Sequence, residues 1–332
     1  MIKWQAMVMM ILMTYVTLKF VESKTIDLTL TKKYSRHKPP YSWIGSNALA
    51  RSALVERQER LQYNCEEMMM TGQIDNNRSL IPDDFRNILV DDELELLYCY
   101  VPKVACTNWK RVLMIATGKW SGNDPLEIPA NLTHASSTFQ RLSNFTMPDI
   151  EQRLASYDAL IVVRHPLERL LSAFRNKLEI RDERGSKYFQ TRFGRKIIKR
   201  YRQNATEESL TRGHDVRFSE FVDFITNKET NETANEHWQS MYELCLPCNV
   251  NYNLVSKYET LTEDATEVLE RIGAGFIPFP SRPPNHGLTA QKLEHYYSSL
   301  TLKQLRKLTH LYRLDLRLFD YSLEEVLGFS LA

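Results

Sequence analysis

The chain has 332 residues, of which 43% are apolar and 25% are charged, and its formal net charge at pH 7 is +2. This length and apolar content suffice for one large α/β core, and the 11 glycines and 13 prolines are too few for a collagenous or low-complexity chain. The nearly neutral charge argues against general nucleic-acid binding, so any attraction for a polyanion must come from local clusters of cations.

The first apolar segment runs from Trp4 to Leu18, carries no charge and has a lysine on each side. Its 15 residues fall short of the roughly 20 that span a bilayer, but Lys19 could extend the span by snorkelling. We therefore expect a cytoplasmic tail at 1–3 and a signal anchor at 4–21, which makes a single-pass type II membrane protein. A cleaved signal peptide is the alternative, and either one sends the rest of the chain into the secretory lumen.

The glycosylation sequons support a lumenal address. None has proline in its middle position, and their asparagines are Asn77, Asn131, Asn144, Asn204 and Asn231.

The five cysteines would lie in an oxidising compartment, where an odd number leaves at least one unpaired within the chain. Cys245 and Cys248 form a lone Cys-x-x-Cys pair. Zinc needs four ligands, so we expect a local disulfide or two packed thiols there, and no metal.

Residues 22–90 are polar and irregular apart from a helical stretch from Asn47 to Met70. We interpret 22–90 as a lumenal stem that holds a catalytic domain at 91–332 away from the membrane. The alternative is a helix packed on the core.

Two segments then repeat the order strand, loop, helix. The apolar run Leu94 to Val101 precedes a helical pattern at 107–117, which Gly118 ends, and the run Ala159 to Val163 precedes a second helical pattern after Arg164-His165-Pro166. Backbone amides at a helix N-terminus, with lysine, arginine and hydroxyl groups beside them, form an anion site. Two such sites suit a ligand with phosphates at both ends.

These segments, Tyr100 to Arg111 and Arg164 to Lys177, resemble the 5′-phosphosulfate and 3′-phosphate motifs of the Golgi carbohydrate sulfotransferases. The similar branch contains the chondroitin 4-O-sulfotransferases and the HNK-1 sulfotransferase. The resemblance extends from about Leu94 to about Tyr321 and includes Asp124 to Ala130, Asn235 to Trp238, Cys245 to Cys248 and Lys257 to Leu261. It implies an α/β fold with a central parallel sheet, a P-loop-like strand-loop-helix and flanking helices.

The resemblance also implies the donor, 3′-phosphoadenylyl sulfate, and the residues that bind it. Lys103 would stabilise charge on the bridging oxygen, and Arg164 and Ser172 would hold the 3′-phosphate. We expect Arg169 to face the same cleft, because the leucines of its helix occupy the opposite face. The phosphosulfate loop would supply the remaining donor contacts, which come from Val104, Ala105, Cys106, Thr107 and Asn108. This loop lacks the glycine-rich run of an ATP-binding P-loop, which argues against an ATPase or an ordinary kinase.

Three residues are candidates for the base that removes the acceptor proton. His134 is the first, because the family also carries a histidine in this stretch and an imidazole suits proton removal near neutral pH, with an apparent pKa of about 6 to 7. His237 is the second and Glu127 the third. We expect His165 to be a structural variant of the motif and not a catalyst.

A basic stretch follows the second motif. Between Ser186 and Asn204 lie seven cations and no acidic residue. They would attract a sulfated or carboxylated chain, although a solvated helix face has the same composition. Downstream, we expect a strand at 250–258, a helix at 262–272 and a long amphipathic region at 289–319.

The leading functional hypothesis is a Golgi enzyme that moves sulfate to a glycosaminoglycan, most simply to the 4-position of N-acetylgalactosamine in chondroitin. Dermatan, N-glycan N-acetylgalactosamine and glucuronate are alternative acceptors. A lumenal glycan-binding protein that lost transfer is the alternative from another class, and binding of adenosine 3′,5′-bisphosphate would separate it from the enzyme.

Overall fold

The computed structural model describes residues 48–75, 78–180, 184–227, 234–280 and 286–328. Within these residues the strands form a five-stranded sheet in the order β3-β1-β2-β4-β5. The strands are β1 (Ile88–Asp91), β2 (Leu96–Cys99), β3 (Gln140–Arg141), β4 (Asp158–Val163) and β5 (Leu254–Lys257).

The centre of the sheet is parallel. Strand β2 pairs with β4 and β4 pairs with β5 in parallel register, whereas β1 runs antiparallel to both β2 and β3. All four residues of β2 and the last five of β4 are buried, as expected for strands covered by helices on both faces. The predicted α/β class with a parallel central sheet is confirmed, with an antiparallel pair added at one edge.

Helices surround the sheet and build a second layer beside it. The first eight are α1 (Ala48–Met70), α2 (Cys106–Ala116), α3 (Ala130–Thr133), α4 (Met147–Ser156), α5 (Pro166–Phe174), α6 (Arg184–Phe189), α7 (Arg195–Tyr201) and α8 (Glu207–Arg212). The others are α9 (Phe218–Ile225), α10 (Met241–Cys245), α11 (Leu261–Arg271), α12 (His286–Tyr297), α13 (Leu302–Leu311), α14 (Arg313–Leu318) and α15 (Glu324–Leu327). Two π-helical segments, Arg175–Glu179 and Gln190–Gly194, continue α5 and α6.

Helix α1 packs on the sheet core instead of standing apart from it. Leu54, Leu61 and Met68 are almost fully buried in the cluster that contains the strands. Arg57 donates a 2.6 Å hydrogen bond to the buried carboxylate of Asp264 in α11. Residues 48–70 therefore form the packed helix that was the alternative interpretation of this stretch.

The cysteines pair over long separations. Cys65 of α1 bonds to Cys248, and Cys99 of β2 bonds to Cys245, while Cys106 is a buried free thiol. The prediction of a local Cys245–Cys248 disulfide or of two packed thiols is wrong, because each of these cysteines reaches a partner more than 140 residues away in sequence. Together the two bonds tie α1 and β2 to the segment around α10.

The amphipathic region near the C-terminus forms the helices α12, α13 and α14. Apolar residues of α12 and α13 join a second core cluster with Leu167, Phe174, Phe221 and Trp238, whereas Leu318 of α14 belongs to the cluster that contains the strands. This cluster supports α5 from the side away from the sheet.

No helix among the described residues is long and apolar enough to cross a bilayer. The proposed anchor at 4–21 lies outside the described residues.

Candidate active site

The loop between β2 and α2 has an unusual backbone. Lys103 has φ 76° and Ala105 has φ 65°, both in the left-handed region that residues other than glycine seldom adopt. The amides of Asn108 and Trp109 then bond to the carbonyl of Ala105, which begins the helix. The first amides of a helix have no acceptor within it, so this turn offers N–H groups to an anion.

Buried side chains anchor that loop from below. Val104 and Trp109 have no exposed surface, and Cys106 is buried, so these residues fix the backbone. The predicted contribution of Val104 to Asn108 remains one of backbone amides, with the Thr107 hydroxyl as an additional side-chain group, although the Asn108 amide already bonds to the Ala105 carbonyl.

The two motifs meet because β2 and β4 are parallel neighbours whose carboxyl ends lie at the same edge of the sheet. Arg164 follows β4, and its Nη1 donates to the carbonyl oxygen of Lys103 at 3.4 Å. Its other nitrogens donate to Glu168, and its guanidinium lies 4.2 Å from the ring centre of Tyr258. Arg164 is therefore held beside the loop between β2 and α2.

Lys103 also contacts the second motif. Its ammonium donates to Asn176 Oδ1 at 3.1 Å, and Asn176 belongs to the π-helical segment after α5. Ser172 lies half-buried on α5, between Arg164 and that segment. The structure thus brings Lys103 next to Arg164 and next to the segment that follows the helix of Ser172.

Arg169 does not fit the predicted role as a donor ligand. It is 1% exposed, and its three guanidinium nitrogens donate to the carbonyl oxygens of Pro102, Glu236 and Gln239 at 3.0, 2.7 and 2.6 Å. A buried guanidinium needs such partners. We expected Arg169 to face the cleft because the leucines occupy the opposite face of its helix. Two loops cover the face that carries Arg169, so its side chain is buried against them and does not reach solvent.

His134 follows the short helix α3 and contacts the segment from Lys103 to Asn108, which is predicted to bind the donor and is called the donor loop below. Its Nε2 lies 3.0 Å from Thr107 Oγ1. Although the residue is accessible to solvent, partial burial of its ring and then the charges of Lys110, Lys177 and Arg111 lower its pKa to about 4. The imidazole is therefore neutral over the physiological range, with a pKa lower than the sequence predicted.

His237 is influenced by Lys177, as His134 is. Its Nδ1 lies 2.9 Å from Asn235 Oδ1, and because that oxygen can only accept, Nδ1 carries the proton and Nε2 keeps a lone pair. Burial, followed by the charges of Lys177, Lys103 and Arg169, lowers its pKa to about 2. Both leading base candidates thus border the donor loop.

Glu127 and His165, which the sequence analysis also discussed, lie in different environments. Glu127 lies in the exposed turn Pro125–Glu127, beside Gly122. His165 is 2% exposed, accepts from the amide of Leu167 and lies 2.9 Å from the carbonyl oxygen of Ser322. This buried setting agrees with the structural role expected for it.

Lys177 is the functional candidate that sequence reasoning missed. It contributes to the lowered pKa values of both His134 and His237, and its ammonium lies 4.7 Å from the ring centre of Phe189. The π-helical turn at Arg175–Glu179 inserts extra backbone and changes the phase of the helix. A prediction that continues the α-helical period of α5 through this turn therefore gives the Lys177 side chain the wrong direction.

Residues 86–322 match the profile of the sulfotransferase family. The chain therefore belongs to the sulfotransferase family, an enzyme family whose members transfer sulfate, and membership implies 3′-phosphoadenylyl sulfate as the donor. Among the residues that the structure describes, no group of three or more His, Cys, Asp or Glu side chains could hold a metal ion.

Individual relatives are similar over most of the chain. Carbohydrate sulfotransferase 11 of Mus musculus is 40% identical over 282 residues, which cover 84% of this chain and 79% of that protein. The Danio rerio protein of the same name is 44% identical over 253 residues, covering 75% and 71%. Carbohydrate sulfotransferase 8 of Homo sapiens is 35% identical over 272 residues, covering 80% and 62%. No solved structure matches the chain.

Proposed function

We propose that the chain transfers sulfate from 3′-phosphoadenylyl sulfate to a glycosaminoglycan, at the 4-position of N-acetylgalactosamine in chondroitin. The observation that supports the donor half is the 3.4 Å contact between Arg164 Nη1 and the Lys103 carbonyl, which brings the two predicted anion-binding motifs into contact. The acceptor half is supported by the similarity to proteins named carbohydrate sulfotransferase 11.

The residues of the cleft suit an in-line displacement. The acceptor oxygen would bond to sulfur while the bond from sulfur to the phosphate oxygen breaks, and adenosine 3′,5′-bisphosphate would leave. Lys103 and the amides that open α2 would stabilise the charge on that phosphate. Positioning and charge compensation would supply most of the rate, as in phosphoryl transfer.

A neutral imidazole would take the acceptor proton. His134 remains our first candidate because its Nε2 lies beside Thr107 of the donor loop. His237 is the second candidate, since its Nε2 lone pair borders the same cations. A lowered pKa keeps either ring unprotonated near pH 7, although it also weakens the ring as a base.

We also propose that the enzyme is a glycoprotein of the Golgi membrane, anchored by residues 4–21 with its catalytic domain in the lumen. The two disulfides suit an oxidising compartment. The described sequon asparagines, Asn131, Asn144 and Asn204, are all exposed. The sequons at Asn77 and Asn231 lie outside the described residues.

The test is an acceptor panel. The full chain is incubated with radiolabelled donor and with desulfated chondroitin, dermatan, N-glycans bearing N-acetylgalactosamine, and heparosan, and the products are digested to disaccharides. We expect label on the 4-position of N-acetylgalactosamine in chondroitin. Label on another sugar would reassign the acceptor, and absence of label on every acceptor, together with absence of donor binding, would favour a glycan-binding protein.

A further inference from the structure

A shallow surface depression of about 500 Å³ lies on the basic stretch, away from the donor loop. Its lining residues are Lys187, Tyr188, Thr191 and Arg192, from the end of α6 and the π-helical segment after it. Tyr188 is 54% exposed, so its ring is accessible to a ligand at this surface. Arg192 Nη1 donates to the Tyr188 hydroxyl at 2.8 Å, so the cation is held beside the ring.

The backbone beneath the depression is specialised. Gln190–Gly194 is π-helical, a conformation that occurs frequently at functional sites because the extra residue redirects side chains. Gly194 closes this segment, and a Cβ there would lie 2.0 Å from the carbonyl oxygen of Gly213. Gly213, which follows α8, therefore packs against the π-helical turn at a distance that only a glycine at position 194 permits.

Ring contacts through Phe189 link the depression to the candidate active site. The ring of Phe189 lies 5.4 Å from that of Tyr188 and 5.0 Å from that of His237, measured between ring centres. On its other side Phe189 receives the ammonium of Lys177. One buried ring thus separates the depression from the residues proposed to act on the acceptor hydroxyl.

The side chains of the depression indicate which type of ligand it would bind. An exposed aromatic ring packs against the apolar face of a sugar, and lysine and arginine bind carboxylate or sulfate groups, with arginine able to do so through two parallel hydrogen bonds. Thr191 adds a hydroxyl that can donate or accept. This combination matches an anionic polysaccharide.

We propose that Lys187, Tyr188, Thr191 and Arg192 form a subsite for a uronate or sulfated sugar of the acceptor chain, two or more residues away from the sugar that receives sulfate. The inference rests on the proposed function. It also divides the basic stretch: the cations of the depression bind acceptor, while the exposed Lys199 on α7 belongs to a solvated face.

The test compares a chondroitin polymer with a chondroitin trisaccharide too short to reach the subsite. Using the full chain, Arg192→Gln and Tyr188→Ala should each raise the polymer KM about tenfold, the size of effect expected for a lost hydrogen bond to a charged group. The trisaccharide KM, the kcat and the affinity for adenosine 3′,5′-bisphosphate should not change. Tyr188→Phe, which keeps the ring, should retain most of the polymer affinity.

Lys199→Gln is the matched control, because it removes the same charge from the same basic stretch outside the depression. An unchanged polymer KM in Arg192→Gln and Tyr188→Ala would overturn the subsite, as would equal losses in Lys199→Gln or with the trisaccharide. Direct binding of desulfated chondroitin to the full chain without donor, measured by calorimetry, gives the same comparison independently of turnover. If the wild-type chain transferred no sulfate, the proposed function would fail while the binding comparison still decided the subsite.

Discussion

Thr107 Oγ1 and His134 Nε2 lie 3.0 Å apart, so a hydrogen bond joins the donor loop to the first candidate base. Thr107 is in the first turn of α2, and His134 follows α3, which packs against it. The atoms proposed to bind the donor and to activate the acceptor are thus coupled directly.

If His134 removes the acceptor proton, His134→Ala should lower kcat by about a hundredfold or more, because a general base contributes 10²–10⁴-fold. Donor affinity should survive, and His237→Ala should cost less. Near-normal turnover in His134→Ala, together with a large loss in His237→Ala, would move the role to His237.

The pH dependence provides a separate test of the same base. The free imidazole must be unprotonated to accept a proton, so kcat/KM should fall as the pH drops through its pKa. With the pKa of His134 lowered to about 4, the acidic limb should lie well below the usual histidine value near 6.5. A limb that persists unchanged in His134→Ala would contradict the assignment.

Lys103→Ala should abolish measurable transfer while the domain stays folded. The lysine contributes charge at the mouth of the loop and contacts Asn176 only through its ammonium, so its loss removes stabilisation of the leaving phosphate more than it disturbs packing. Circular dichroism and thermal unfolding should match wild type. Exposed Lys303→Ala on α13 serves as the charge-matched control, and wild-type turnover in Lys103→Ala would refute the phosphosulfate assignment.

Arg169→Met should lower the free energy of unfolding by about 3 kcal/mol, because it leaves three carbonyl oxygens without their shared donor in a buried site. Urea unfolding measures this change. Arg306→Met, at an exposed position of α13, is the control and should change stability little. Unchanged stability with a specific loss of donor affinity would restore Arg169 to the ligand role predicted from sequence.

The N-terminal segment should remain attached, and the full chain should carry N-glycans. Edman sequencing of the mature protein would show the original N-terminus or a block, and endoglycosidase treatment should increase electrophoretic mobility. A mature protein that began near Lys24 would indicate a cleaved signal peptide. Absence of a mobility change would contradict the lumenal address.

Local patterns predicted the elements that carry the site. The run Leu94 to Val101 became β2, shortened at both ends, and the run Ala159 to Val163 became β4, extended by Asp158. The helix expected at 107–117 is Cys106–Ala116, followed by Gly118 with φ 66°. The same patterns could not give the disulfide partners, because contacts over 183 and 146 residues depend on the completed fold. Nor could they place Lys177, whose direction depends on a π-helical turn that has no clear sequence signal.

The central claim is that Arg164 and Ser172 belong to the same donor site as Lys103. Calorimetry of adenosine 3′,5′-bisphosphate with the full chain tests it most directly, because this nucleotide carries both phosphates and needs no acceptor. We predict tight binding by wild type and by the surface control Arg306→Ala, and at least tenfold weaker binding by Arg164→Ala and by Ser172→Ala, with little change in chondroitin affinity. Equal nucleotide affinity in wild type and both variants would contradict the account.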